Sequence, residues 1–366
     1  MKKILIIADC EFGDSVYYHL AHLIPALRGR KNFAVEVMLP SSSPLLQVLS
    51  THKITTHQLE YEDTDTLSRA DLKVIRNKLT EIKPDIVHTH SGLPDKISTV
   101  LSRFKTVHTL HSELVVPKWR TFFPLKYLFK PTKNAIAQRV IATNRFVLTS
   151  LQNMGANPKT LRNIYNGVAP ARLLYGPEIS KLRAHYNIPP NTFVVTYIAS
   201  LETENGQNFV LDTVRELPYN VMTLIVCDGI TDEEYEKHLR TRIQREELKN
   251  VQILPRSPLN EIFAITDVQI SPTSRQTIPS HVLSGMSIGK PTIVNKRFDP
   301  FIIQDEETGL TFEPDSVEWL DDAITRIKDD KNMYNRLAEA SKVRYAKYFT
   351  ADIMAAETEK VYKELI

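Results

Sequence analysis

Apolar runs of strand length alternate with stretches of helical periodicity along the whole chain, and this alternation limits the fold more than any other feature of the sequence. The opening KKILIIA is followed by a polar turn at 9–14 and an amphipathic stretch at 16–27. FAVEVMLP and 44–50 repeat the order, and a helical pattern over 71–82 leads into PDIVHTH. The helix 97–102, the strand KTVHTLH, the helix 131–138, the strand RVIATN and the helix 145–154 continue it. Near-continuous apolar strands need cover on both faces, which helices between parallel strands supply.

A second series follows a connection marked by Pro170, Pro177, Pro189 and Pro190. TFVVTYIA, VMTLIVCDG, NVQILP, DVQISP and PTIVN are five strand candidates, separated by helical stretches at 209–217, 232–247, 259–265 and 279–288. Helices over 317–329 and 331–348 and an amphipathic stretch at 352–366 end the chain. Its 366 residues exceed what a single hydrophobic core organises. The expectation is an α/β protein of two Rossmann-like domains facing a central cleft. The first occupies 1–170, a linker 171–190, the second 191–350. The terminal helix 351–366 crosses back to the first domain, because Ile353, Met354, Val361, Tyr362 and Leu365 need a surface to cover. Ligands of open parallel sheets bind beyond the carboxyl ends of the strands.

Charge divides the two series. Residues 1–170 carry 23 Lys and Arg against 13 Asp and Glu, and residues 171–366 carry 23 against 30, so the halves balance at +10 and −7. A basic first half fits an anionic acceptor, a membrane surface or an acidic partner. The longest apolar runs are strand-sized and the run after Lys3 is too short for a signal peptide, so a cytoplasmic protein is expected. Cys10 and Cys227 lie far apart and read as buried thiols rather than a disulfide or zinc framework. Asp63 and Asp65 stand in a polar loop and suggest no metal site. No G-x-G-x-x-G follows a strand, which disfavours a dinucleotide enzyme, and no groove-reading motif accompanies the basic charge, which disfavours nucleic acid.

PDIVHTH at 84–90, VHTLH at 107–111, VIATNRFVLTSL with NIYNGV at 163–168, LIVCDG at 224–229, DVQISPT at 267–273, SGMSIGKPTIV at 284–294 and EETGLTF at 306–312 stand in a characteristic order. Together they resemble the GT-B retaining glycosyltransferases, the family-4-like group 1 enzymes, over nearly the whole chain. The resemblance implies a nucleotide-sugar donor on the second domain, an acceptor on the first, and neither cofactor nor metal.

It also implies a donor site, which this chain rewrites. Gly13, in EFGDS, stands where the family carries a glycine pair. Ser200 and Asn205, in IASLETENGQNF, replace the Arg and Lys that grip the diphosphate, and Gln276 and Ser284 replace two glutamates. Losing two charge-assisted hydrogen bonds of about 1.5–3 kcal/mol each would weaken diphosphate binding by roughly two to four powers of ten unless compensated. Arg275, Lys296 and Arg297 are the candidate replacements, with Ser280 at the start of a helix that faces the phosphates and Arg256 beside the nucleobase. His111 matches the family histidine near the donor sugar and is the catalytic candidate, while His88 and His90 read as packing residues.

KWRTFFPLKYLFKPTK, 118–133, interleaves cations with rings. Lys118, Trp119, Arg120, Lys126 and Lys130 are the candidates for acceptor contact or for peripheral contact with the inner face of a membrane. Two functions stay open. One is an active glycosyltransferase acting on a bacterial envelope glycan, a lipid-linked sugar or a protein. The other is a catalytically silent GT-B protein that binds or stabilises a partner glycosyltransferase.

Overall fold

The computed structural model describes residues 1–60, 67–90, 97, 100–112, 137–172, 174–273, 279–314 and 316–366. Asp63, Asp65, Lys118, Trp119, Arg120, Lys126, Lys130, Arg275 and Gln276 lie outside them.

The chain divides into two compact units, 1–168 with 351–366, and 169–350. The first is built on seven strands: β1 (Lys3–Ile7), β2 (Ala34–Pro40), β3 (Thr55–Leu59), β4 (Ile86–His90), β5 (Lys105–Leu110), β6 (Arg139–Ala142) and β7 (Leu161–Asn163). They pair in parallel in the order β3-β2-β1-β4-β5-β6-β7. Helices α1 (Ser15–Arg30), α2 (Leu45–Thr51), α3 (Arg69–Ile82) and α4 (Arg145–Asn153) lie between strands in the chain. On α1 the buried residues Val16, His19, Leu20, Leu23, Ile24 and Leu27 recur at helical spacing and form one face against the sheet. Ile4, Ile6, Ile86 and Val107 meet that face from the strands.

The terminal helix completes this core. Met354, Ala355, Val361 and Tyr362 of its 351–363 span pack in the same cluster. The Ala351 amide bonds the Val168 carbonyl, and Glu364, just beyond the helix, accepts from Arg139 and Arg162.

The second unit holds six parallel strands in the order β10-β9-β8-β11-β12-β13. These are β8 (Phe193–Leu201), β9 (Val221–Thr231), β10 (Val251–Leu254), β11 (Val268–Ser271), β12 (Thr292–Asn295) and β13 (Leu310–Phe312). Its helices are α5 (Pro177–His185), α6 (Gln207–Glu216), α7 (Glu233–Arg245), α8 (Leu259–Ile265), α9 (Ser280–Ser287), α10 (Val317–Asp329) and α11 (Lys331–Tyr348), so the terminal helix is α12 (Ala351–Lys363). Helix α5 corrects the linker expected at 171–190. Pro177 occupies its first turn, where a missing N–H costs nothing, and Tyr186 and Ile188 join a core cluster with Val194 and Phe263. The prolines there start a helix and close it, rather than mark a free connection.

The first glycine of SGMSIGKP, Gly285, is fixed by packing. A Cβ on Gly285 would fall 2.2 Å from Gln269 Nε2, and that buried amide donates to the Val282 carbonyl at 3.1 Å and to Thr292 Oγ1 at 2.8 Å. Gly285→Ala should therefore cost about 1–3 kcal/mol through overpacking. Urea denaturation should show the loss, and a Gln269→Ala background should reduce it. An equal loss in both backgrounds would mean that Gln269 is not the obstacle.

Candidate functional site

In a strand alternate residues share a face, so His88 and His90 of β4 point the same way. The β4–β5 register pairs His88 with Val107 and His90 with Thr109, which puts Thr109 and His111, one residue beyond β5, on that face too. This is the face covered by α1 and α12. His19 of α1 thus meets His90 and His111, with ring centroids 5.3 and 4.7 Å away, and His88 lies 4.4 Å from His90.

Hydrogen bonds fix these rings. His88 shares one with Tyr362 at 2.7 Å and one with Thr109 Oγ1 at 2.8 Å. His19 Nδ1 donates to Asn166 Oδ1 at 2.9 Å, and His90 Nδ1 meets His111 Nε2 at 3.1 Å. His19 Nε2, His90 Nε2 and His111 Nδ1 are buried with no hydrogen-bond partner among the described residues. Burial pushes His19 down to about 4 and holds His88, His90 and His111 well below the usual imidazole range, with the neighbouring rings adding to the effect in the last three. The cluster is neutral at neutral pH. His111 is therefore deeply enclosed, held by His90 and packed on His19.

Gly13 serves the turn into α1, with φ of 86°. The next residue, Asp14, caps that helix by accepting from the Tyr17 and Glu11 amides. Burial raises its carboxyl to about 6. A carboxylate already occupies the positive helix end that an anion would use.

On the second unit the candidates share the carboxyl edge of the sheet. Ser200 closes β8, Arg256 follows β10, Lys296 and Arg297 follow β12, and Ser280 begins α9 after β11. Asn205 is 7% exposed and turned inward. Its amide donates to the Ser200 carbonyl at 2.9 Å, and Gln207 donates to the same oxygen at 2.7 Å. Tyr197 holds the Asn205 carbonyl. Ser200 and Asn205, which the resemblance sets at the expected cation positions, are thus brought together to tie a loop shut.

Ser284 Oγ donates back to the Ser280 carbonyl at 3.2 Å, which spends its proton within α9. Pro279, ahead of that helix, gives no side-chain cap among the described residues, and its carbonyl accepts from the Val282 amide at 3.1 Å. Lys296 is exposed and paired with Glu313, while Arg297 is exposed. Arg256 is exposed on its loop.

His19, Asn166 and Gln207 are the residues that sequence reasoning passed over. A histidine in the apolar stripe of α1 and the asparagine of NIYNGV were the available signals. Gln207 had none.

The histidines give a pH prediction. Their folded values lie below the unfolded value of about 6.5, so the unfolded chain binds more protons and stability is complete above that pH and falls below it. A histidine at about 4 costs on the order of 2 kcal/mol at pH 5. In metal-free buffer the urea midpoint should fall clearly between pH 7 and pH 5. A flat profile would contradict the buried neutral cluster.

Comparison with known proteins agrees with this geometry. The family model for glycosyl transferases group 1 matches residues 178–344, and that for glycosyltransferase family 4 matches 16–172. The alpha-D-kanosaminyltransferase of Streptomyces kanamyceticus is 20% identical over 195 residues, 51% of this chain and 49% of that protein, so the match spans about half of the curated relative. A glycosyltransferase structure from Rickettsia africae superposes with a TM-score of 0.85 at 18% identity, covering 100% of this chain and 98% of the other. Anabaena HepE in complex with UDP and glucose also gives 0.85, at 19% identity, covering 99% and 100%. Two family models that meet near the boundary between two parallel-sheet units, and solved structures that match the chain from end to end, carry the same conclusion: this chain belongs to the GT-B glycosyltransferases of group 1.

Proposed function

We propose that the protein transfers a sugar, with retention, from a nucleotide-sugar donor held on the carboxyl edge of the second unit to an acceptor held by the first. The observation that carries this reading is the start of α9. That helix start, without a side-chain cap among the described residues, lies on the same sheet edge as Lys296 and Arg297. A helix N-terminus with fixed cations suits a diphosphate, and it suits the leaving diphosphate better still as the bond from the sugar breaks and charge grows. Binding of UDP by HepE supports the donor class. Ser280, Arg275, Lys296 and Arg297 would then hold the phosphates, Arg256 the base, Ser284 and Gln276 the ribose and sugar, and His111 would act beside the sugar. Neither a cofactor nor a metal enters this transfer.

For the acceptor we infer an envelope glycan, a lipid-linked sugar or a protein, from the +10 balance of residues 1–170. Lys118, Trp119, Arg120, Lys126 and Lys130 would meet it, at the cytoplasmic face of a membrane. Among the described residues no helix is long and apolar enough to cross a membrane.

A second reading has its own observation. Asn205 is committed to the Ser200 carbonyl, and the charged side chains of that loop are Glu202 and Glu204, which repel a diphosphate. This favours a silent GT-B subunit that supports a partner glycosyltransferase.

Calorimetric titration with nucleoside diphosphates separates the two. A transferase should bind one of them, UDP first among them, at micromolar levels. Lys296→Ala with Arg297→Ala should weaken it by about tenfold or more, the equivalent of one charge-assisted hydrogen bond. Silence across the panel at millimolar nucleotide would establish the second reading.

A further inference from the structure

We propose that His19, His90 and His111 form a binding site for one divalent transition-metal cation of the zinc class. Each offers a ring nitrogen, and the three ligand atoms lie within 4.8 Å of one another. All three residues are buried.

The spacing of one pair already suits a metal. Tetrahedral zinc with bonds of about 2.0–2.1 Å to nitrogen sets its ligand atoms about 3.3–3.4 Å apart. His90 Nδ1 and His111 Nε2 stand at 3.1 Å, so a cation could take the place of the proton they share with little movement. His19 supplies the third ligand. Its Nδ1 donates to Asn166 Oδ1, which leaves the lone pair on Nε2, and that atom is buried without a partner among the described residues. A metal-bound histidine is held this way when its other nitrogen donates to a fixed oxygen.

The unmetallated cluster is poorly satisfied. One proton serves the two nitrogens between His90 and His111, and the outer nitrogens, His90 Nε2 and His111 Nδ1, meet no hydrogen-bond partner among the described residues. An unmet buried group costs about 1–3 kcal/mol, and ligation through the facing nitrogens would relieve His19 Nε2 while leaving these outer nitrogens as they are. His88, by contrast, has both nitrogens partnered by Tyr362 and Thr109 and stays outside the ligand set.

Three neutral imidazoles leave the bound cation with its full charge. The electrostatic neighbours of His90 and His111 are other histidines. The fourth coordination position, open in a three-histidine site, would therefore take water or an anion. Every ligand lies in the first unit, and the site takes as a ligand the same His111 that the glycosyl-transfer reading sets beside the sugar, so a bound metal would withdraw that ring from a catalytic role while leaving the phosphate site on the second unit untouched.

The test is a titration of the full chain after dialysis against chelator. Zn2+ should bind at one equivalent with micromolar or tighter affinity. Co2+ should give the intense visible absorption of a tetrahedral centre, and X-ray absorption of the zinc complex should count three imidazoles. His19→Gln and Asn166→Ala should each weaken Zn2+ by at least about tenfold, the second by loosening a ligand it does not remove. Circular dichroism checks that both variants fold. If they do not, the wild-type cobalt and X-ray absorption spectra decide. No zinc binding by the wild-type chain, a weak octahedral cobalt spectrum, or folded variants with unchanged affinity would each overturn the proposal.

Discussion

Everything in this molecule follows from parallel strands that must be buried on both faces. The hydrogen-bond ladders of β1 with β4 and of β8 with β11 run between apolar side chains, and helices close both sides. Buried polar groups inside the strands, such as His88 and Gln269, are spent on hydrogen bonds within the fold, and the candidate site residues lie at the strand ends and in the loops beyond them. That is where His90, His111, Ser200, Lys296 and Arg297 are found. The fold and the placement of its candidate residues thus have one cause.

The two units use their carboxyl edges in opposite ways. On the first, α1 and α12 close over the strand ends, so histidines there lose their solvation and are held neutral. On the second, the charged groups stay outside. Lys296 pairs with Glu313 in solvent, and the loop after β8 is tied by two amides rather than held open by cations. An exposed ion pair contributes little to stability, so Lys296 can leave Glu313 for a better anion at small cost.

Much of this was legible in the sequence because periodicity is local. KKILIIA, PDIVHTH and TFVVTYIA read as buried strands, and the stripe of α12 demanded a surface. The connection at 171–190 was misread because prolines were counted without their positions, and Pro177 at a first turn promotes a helix. His19 was illegible as a site residue, since its neighbours in space come from β4, the end of β5 and the segment after β7. The inward turn of Asn205 could not be read either. It depends on a carbonyl of β8, whereas the resemblance speaks only of an asparagine at a position where a lysine is expected.

The central claim is that the second unit's carboxyl edge is a phosphate site that survives the loss of the family's cations. A crystal structure of the protein with UDP tests it most directly. The account predicts the diphosphate against the first amides of α9, with Lys296 or Arg297 released from its present surroundings to meet it. A nucleotide bound elsewhere, or none at saturating concentration, would contradict it.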